Sequence, residues 1–192
     1  NHALAFGVQG YDKRGIDEPS SEGNVMGAHE GFTEVVRTNM SLIRRRMKSP
    51  VLVQQLFVMG EKSRTDLCLC YMSDRVSPRL LERIRKDLEQ MQLETILSSG
   101  YVRPFLERRD WRIFHSTGTT ERPDVLCSKL LEGRVALLID GTPFAIFLPK
   151  LFVENFQTLD DYTFKPYYAT FVRWIKYLAF FLALLLPGVY TA

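Results

Sequence analysis

The sequence lacks the motifs that usually mark catalysis by a metal ion, a nucleotide or an activated nucleophile. It contains no H-E-x-x-H, no C-x-x-C, no phosphate-binding loop and no G-x-S-x-G. Glu121, Glu132 and Asp140 form a conceivable acid–base set, but each is also explained by a helix end or a turn, and no nucleophile accompanies them. We therefore predict that the chain is not an enzyme and holds no metal or cofactor.

Cysteine is scarce and the net charge is small. The three cysteines are an odd number without the spacing of a disulfide framework, which favours a reducing compartment. Cys68 and Cys70 lie two residues apart in a strand-like segment, so both thiols should point to one face as small core side chains. A net charge of +3, with no basic run that alternates with aromatics, argues against a nucleic-acid partner.

What the sequence does contain is a helix followed by a β-hairpin. Pro123 suits the first turn of the helix, and Gly133 suits its left-handed C-terminal cap. The apolar run 135–139 is too short for a helix and fits a strand covered on both faces. Residues 140–143, Asp-Gly-Thr-Pro, are turn chemistry, after which 144–148 can run back as a partner strand.

The preceding segments predict the rest of an α/β domain with a mixed sheet. Residues 32–48 show the three-four apolar spacing of a helix whose opposite side is cationic. The further expected elements are strands at 51–59 and 66–72, a helix at Ser77-Pro78 with Ser77 as N-cap, a short helix at 94–100 and an irregular segment at 101–118.

Two blocks of the sequence resemble the A-subunit family of bacterial spore germinant receptors, the GerA-type germination proteins. The first block contains Glu30-Gly31-Phe32-Thr33-Glu34, Arg37-Thr38-Asn39 and Ser41–Arg46, and the second contains TERPD, LLEGRVA and IDGTPF. The resemblance covers residues 14–192, with the motifs in the family's order. It departs at Ala28-His29, where the family usually has proline and arginine.

This resemblance implies the A subunit of a nutrient receptor in the inner membrane of a bacterial spore, with the present region on the cytoplasmic side. Members of the family act with a polytopic, transporter-like B subunit and a lipoprotein C subunit. Together these subunits sense small nutrients such as amino acids and sugars and trigger ion release. The resemblance also implies that A subunits oligomerise, so the domain would assemble and couple the subunits of a membrane complex.

The polar members of the two blocks are the candidate interface and coupling residues. They are Glu30, Arg37, Arg44 and Arg45 in the first block, and Glu121, Arg122, Asp140 and Thr142 in the second. A solvated surface is the alternative role for the cationic side of the first helix. Arg122, held extended before Pro123, is expected to pair with a carboxylate across a domain or subunit boundary. Replacing Arg122 by alanine should then impair assembly or germination.

The end of the chain predicts the start of a membrane region. The 22 residues 171–192 carry only Arg173 and Lys176 as charges. As a helix they extend about 33 Å, against a hydrocarbon core of about 30 Å. Arg173, Trp174, Lys176 and Tyr177 are expected at the membrane interface, on the cytoplasmic side. A buried or amphipathic C-terminal helix is the alternative.

We expect the chain to be a piece of a longer protein with three parts. Residues 1–31 are the remnant of an N-terminal subdomain, 32–163 an α/β cytoplasmic subdomain and 164–192 the start of the membrane region. Before the membrane region, Phe152, Phe156 and Tyr162 are expected to pack at an interface. The alternative functions are a soluble or peripheral small-molecule-binding module and a membrane-anchored scaffold.

Overall fold

The computed structural model describes residues 14–19, 21–23, 28–107, 115–156 and 166–191. Within them, five strands form one sheet in the spatial order β1-β2-β4-β5-β3, flanked by helices. The strands are β1 (Leu52–Met59), β2 (Thr65–Met72), β3 (Gly118–Thr120), β4 (Val135–Ile139) and β5 (Ala145–Leu148). The helices are α1 (Val36–Arg46), α2 (Pro78–Glu89), α3 (Ser99–Leu106), α4 (Pro123–Leu131), a 3₁₀ helix (Phe152–Phe156, here the linker helix) and α5 (Pro166–Thr191). The predicted class, an α/β domain followed by an apolar C-terminal helix, is confirmed.

Every strand pairing among the described residues is antiparallel. β3 and β4 both pair with β5, so they run parallel to one another with β5 between them. Helix α4 crosses from β3 to β4. The mixed sheet predicted from the alternation of helices and strands is therefore wrong for the described residues. The tight turn at 140–143 sends β5 back between β4 and β3, so those two parallel strands are not neighbours.

The two faces of the sheet carry two separate hydrophobic cores. In β2, Cys68 and Cys70 face the core under α1 and α4, whereas Leu67 and Leu69 face the core under α2 and α3. Both sets are buried, which explains why β2 lacks a polar face. The two free thiols lie 3.6 Å apart, as their spacing predicts, and their mutual hydrogen bond and burial raise the pKa of Cys70.

The short helix predicted at 94–100 is wrong. Ser63 Oγ accepts the N–H of Ile96 at 3.0 Å, and Thr65 Oγ1 donates to the carbonyl of Ile96 at 2.7 Å, so both backbone groups of Ile96 are bonded outside a helix. Helix α3 begins only at Ser99 and runs into the segment that was predicted to be irregular. Its buried Val102 and Leu106 explain the difference, because tertiary packing overrides the low helix propensity of Gly100 and Pro104.

The helix-end signals of the sequence are confirmed in α4. Gly133 has a positive φ of 85° and donates its N–H to the carbonyl of Leu130 at 3.0 Å. A Cβ at this position would meet the carbonyl oxygen of Arg75 at 2.7 Å, so glycine is required on two grounds. In α2, Ser77 occupies the predicted N-cap position, without a capping hydrogen bond from its side chain.

Helix α5 contains a candidate membrane span. Of the helices that the structure describes, this is the one whose length and composition would allow it to cross a membrane, over Thr170–Tyr190. None of that span is buried against the part of the chain that the structure describes, which disagrees with the alternative of a buried C-terminal helix. The leucines Leu184–Leu186 are each about 60% exposed, so this part of the helix presents an apolar surface.

Candidate coupling site

The second sequence block holds the start of α1. Val35 occupies the N-cap position of α1 and has no side-chain acceptor to offer. Instead, Asp140 Oδ1 accepts the N–H of Val36 at 2.9 Å, from 104 positions further along the chain. The carboxylate also places negative charge at the positive end of the helix. Thr142, also predicted to be a site residue, donates its hydroxyl to the carbonyl of Ile139 at 3.1 Å and closes the same turn.

Backbone hydrogen bonds complete this contact between the two blocks. The N–H of Gly141 donates to Glu34 O at 2.7 Å, and the N–H of Phe32 donates to Glu121 O at 2.7 Å. Since Phe32 is almost fully buried and α1 packs on α4, the two blocks form one structural unit. The sequence predicted both blocks but not that they meet.

A half-buried carboxylate, that of Glu22, joins this unit to the segment before it. Glu22 accepts hydrogen bonds from Thr120 Oγ1 at 2.7 Å and from the N–H of Glu121 at 3.1 Å. Burial raises the pKa of Glu22 above its ordinary value. The side chain of Glu121, in turn, accepts the N–H of Ser21 at 3.3 Å. The predicted site residue Glu121 therefore fixes the position of residues 21 and 22.

The predicted cations of α1 also have partners within the chain. Glu30 contacts Arg45 and, at 2.8 Å, Arg46 Nη2. The hydrogen bond from Arg45 is the main reason that the pKa of Glu30 lies below its ordinary value. This pair is exposed enough to meet water, so it suits a solvated face and an interface equally well.

Arg44 and Arg37 differ in the contacts that their guanidinium groups make within the chain. Arg44 donates to the carbonyls of Ser49 at 3.2 Å and Leu52 at 3.1 Å, which ties the end of α1 to β1. Arg37 has a longer contact, 3.6 Å, to Asp66 and is 58% exposed. A role for either residue at a subunit interface stays a prediction.

Arg122 is buried and pairs with its own helix. Its Nε and Nη2 atoms donate to Asp124 Oδ1 and Oδ2 at 3.1 and 2.7 Å. Burial alone would raise the pKa of Asp124, but the guanidinium outweighs it and holds that pKa below the ordinary value. Pairing of Arg122 across a domain or subunit boundary stays a prediction.

Sequence reasoning missed a second ionic cluster, centred on Glu154 in the linker helix. Lys129 Nζ lies 2.7 Å from Glu154 Oε1, and Arg134 Nη1 lies 2.7 Å from Glu154 Oε2. The N–H of Leu151 donates to the same carboxylate at 2.9 Å. All three charged side chains are at most 10% exposed. Burial opposes ionisation, but these donors outweigh it and lower the pKa of Glu154 to about 2.

One signal in the sequence could have found this cluster. Glu154 is the only acid between Asp140 and Asp160, and phenylalanines lie two residues to either side of it, at 152 and 156. Lys129 and Arg134 flank the end of a helix and the start of a buried strand, where cations are costly to bury without a partner.

The other side of the linker helix packs on α5. The ring of Phe156 lies 4.9 Å from that of Tyr177 and 5.4 Å from that of Phe180, between centroids. Phe152 also contacts Phe180, at 5.9 Å, and Lys176 Nζ donates to the carbonyl of Phe156 at 3.3 Å. These are interface contacts of the kind predicted for Phe152 and Phe156.

Four residues of α5 were predicted at a membrane interface. Lys176 and Tyr177 face the linker helix, whereas Trp174 is 69% exposed; the fourth, Arg173, is partly buried. Their level in a membrane stays a prediction. Tyr162, predicted to pack with the two phenylalanines, lies outside the described residues.

The linker helix is therefore a two-sided connection of five residues. Glu154 binds the end of α4 and the start of β4, while Phe152 and Phe156 hold α5.

Comparison with known proteins identifies the family. The GerA family, described as Bacillus/Clostridium GerA spore germination protein, matches residues 1–192. The chain belongs to this family. It is 38% identical over 192 residues to spore germination protein KA of Bacillus subtilis (strain 168), a match covering 100% of this chain and 35% of that protein. Its identity to spore germination protein B1 of the same organism is 34% over 189 residues, which cover 98% of this chain and 39% of that protein.

The chain is also similar to a solved structure of this family. It is the crystal structure of the N-terminal domain of the A subunit of the Bacillus megaterium spore germinant receptor GerK3. It matches with a TM-score of 0.50 and 38% identity, over 64% of this GerA-family chain and 97% of that one. The resemblance to A subunits predicted from the sequence is confirmed. The chain spans little more than a third of the length of the two relatives above.

Proposed function

We propose that this chain is the region of a germinant-receptor A subunit where a cytoplasmic domain joins the membrane part. The domain assembles and couples the subunits of a complex that releases ions when a spore germinates. Membership of the GerA family and the likeness to the GerK3 A-subunit domain support the A-subunit role. The observation that carries the coupling role is the linker helix, which is bonded to the domain on one side and to α5 on the other.

This proposal includes a location and partners. The complex lies in the inner membrane of the spore with the domain on the cytoplasmic side, as the candidate span directly after the domain supports. It combines several copies of the A subunit with a polytopic B subunit and a lipoprotein C subunit, and the complex senses small nutrients. We propose no catalytic role for the chain, because the charged clusters described above are explained by ion pairs and helix caps.

Contacts continue from α5 to the far side of the domain. Lys129, one of the two cations on Glu154, belongs to α4, and α4 packs on α1 beneath the sheet. The exposed side of α1 carries Arg37 and Arg45, two of the predicted interface residues. A chain of packed elements therefore connects the membrane helix with a cationic surface that suits a neighbouring subunit.

The test uses the full-length A subunit with Glu154→Gln. The amide cannot balance Lys129 and Arg134, so the linker helix should detach from the domain. We expect nutrient-triggered ion release from spores to slow several-fold while the subunits still co-purify. Glu132→Gln is the matched control, because Glu132 also contacts Arg134, at 2.8 Å, but is 43% exposed and lies outside the linker.

A second variant separates coupling from folding. Phe156→Leu loosens the ring contacts with α5 and leaves the ion pairs in place. It should also slow ion release, with the subunit present at its normal level. Normal ion release in both Glu154→Gln and Phe156→Leu, at normal subunit levels, would rule out coupling through the linker helix.

A further inference from the structure

A cavity of about 320 Å³ lies where α3, the linker helix and α5 meet. Three of its lining residues are basic: Arg103 from α3, His115 and Lys150. They come from separate parts of the chain and converge on one space beside α5. None of the coupling contacts described above accounts for this convergence of basic side chains.

Only two of the three basic side chains, those of Arg103 and His115, have an acidic partner among the described residues. Glu107 accepts a hydrogen bond from Arg103 Nε at 3.1 Å and lies 2.9 Å from His115 Nδ1. Thr117 Oγ1 also lies 3.0 Å from Arg103 Nε. Among the residues that the structure describes, Lys150 makes its one hydrogen bond through its backbone N–H, to Ser116 O, so its ammonium group has no protein partner. The ammonium of Lys150 and the terminal nitrogens of Arg103 are therefore available to an anion.

Three aromatic rings also line the cavity. Phe152 and Phe156 of the linker helix and Phe180 of α5 contribute them, and Asn155 of the linker helix completes the lining. A site lined by both cations and aromatic rings fits a ligand that is anionic at one end and apolar at the other. A fully hydrated inorganic ion would leave the three rings without a function.

The position of the cavity along α5 indicates the source of such a ligand. Phe180 lies three residues, or about 4.5 Å, beyond Tyr177, which the sequence predicts at the headgroup level. Beyond Phe180, the exposed side chains Phe181, Leu182 and Leu184 are all apolar. If the candidate span crosses a membrane, the cavity lies where lipid headgroups give way to acyl chains.

We infer that this cavity binds the headgroup of an acidic phospholipid. The phosphate lies between Lys150 and Arg103, and the glycerol and first methylene groups lie along the three phenylalanine rings. A volume of about 320 Å³ suits a headgroup rather than a whole lipid, whose acyl chains would extend beside α5. The inference goes beyond the proposed subunit role and needs from it only that α5 lies in a membrane.

The experiment counts lipids on the full-length A subunit. The detergent-purified protein is stripped of lipid, mixed with phosphatidylglycerol or phosphatidylcholine, and measured by native mass spectrometry. The wild type should retain one phosphatidylglycerol in preference to phosphatidylcholine. Lys150→Gln should weaken that binding about tenfold, the loss expected for a charge-assisted hydrogen bond. Lys150→Arg should restore it, because the charge is kept.

The control is Lys86→Gln, which removes the same charge from the exposed side of α2. Equal retention of the two lipids by the wild type, or equal affinities of Lys150→Gln and Lys86→Gln for phosphatidylglycerol, would overturn the inference. Soluble glycerol phosphate is the second probe. If it binds at the cavity as tightly as phosphatidylglycerol, the ligand is a soluble anion and the lipid assignment is wrong.

Two further measurements separate this result from a failure of the proposed function. Circular dichroism checks that Lys150→Gln is folded, and carbonate extraction of membranes checks that α5 is still inserted. If the proposed coupling role is wrong, the wild-type protein still retains phosphatidylglycerol. If the lipid site is wrong, phosphatidylglycerol is not retained in preference, although carbonate extraction still shows that α5 is inserted.

Discussion

Two connections within the molecule differ in kind: the one that holds α1 against the second sequence block, and the one that holds the linker helix between the domain and α5. At α1, the contact consists of a buried apolar helix face, backbone hydrogen bonds and one capping carboxylate. At the linker helix, it consists of one carboxylate on two cations, with partly exposed rings against α5. The first resembles the interior of a domain, and the second resembles an interface between domains.

This difference bears on which connection can move. A packed core resists small displacements, because cavities and strained side chains are costly. An ion pair with a few ring contacts can break and form again with less loss of buried apolar area. We therefore place the mobile connection at the linker helix and the rigid one at α1.

The largest effect should come from a pair of truncations, one at each connection. Ile43→Ala in α1 opens a cavity at a fully buried site and should lower the free energy of unfolding of the domain by about 2–5 kcal/mol. Phe152→Ala removes a larger side chain that is 40% exposed and contacts α5, so it should lower that free energy by less than about 1 kcal/mol. Urea unfolding in mild detergent, followed by circular dichroism, measures both. Equal losses would mean that the linker helix belongs to the rigid core.

A smaller effect should appear on acidification. The pKa of Glu154 is about 2 in the folded protein, against an ordinary value of 4.5. Because the folded pKa is the lower one, the stabilisation by Glu154 is present above about pH 4.5 and is lost as the pH falls towards 2. The wild type should therefore be more stable than Glu154→Gln at neutral pH, and the gap should shrink through this window.

The gap between the two proteins isolates Glu154 from other carboxylates. Glu30 and Asp124 also have lowered pKa values, whereas Glu22 has a raised one and acts in the opposite direction. These groups are the same in the wild type and in Glu154→Gln, so their contributions cancel in the difference. A gap that stays constant from pH 7 to pH 3 would show that Glu154 does not stabilise the fold through its charge.

The sequence predicted local structure well where one segment carries its own signals. The uninterrupted apolar run 135–139 became β4 at those residues, and Gly133 took the left-handed conformation that ends α4. The helix predicted at 32–48 begins only at Val36. Its start is set by two hydrogen bonds, one from the N–H of Val36 to the distant Asp140 and a buried one from the N–H of Thr33 to Asn39 Oδ1. Such partners cannot be found from spacing along the chain.

The candidate site was predicted only in part, because some of its contacts join residues that are far apart in the sequence. Asp140, Glu121 and Thr142 were found through the resemblance, and the structure joins them to the residues around α1. Glu154 was missed because its partners, Lys129 and Arg134, lie 25 and 20 residues away and carry no shared motif. The apolar run 171–192 predicted the helix α5. For Phe152 and Phe156 the sequence predicted packing at an interface, but it did not identify α5 as the partner.

The smallest effect should come from the cap of α1. Asp140→Ala removes the acceptor for the N–H of Val36 and should cost about 1 kcal/mol, the usual value of a helix N-cap. Asp140→Asn keeps an oxygen acceptor and removes only the charge near the helix N-terminus, so it should cost a few tenths to about 1 kcal/mol and less than alanine. Hydrogen exchange at the first amides of α1 measures both variants directly, because a lost cap frays the first turn before the domain unfolds. If α1 is the rigid connection, the fraying stays within that turn and leaves protection in β4 unchanged. Loss of protection throughout β4 would instead show that a single cap controls the whole domain, and α1 would then be the weaker of the two connections.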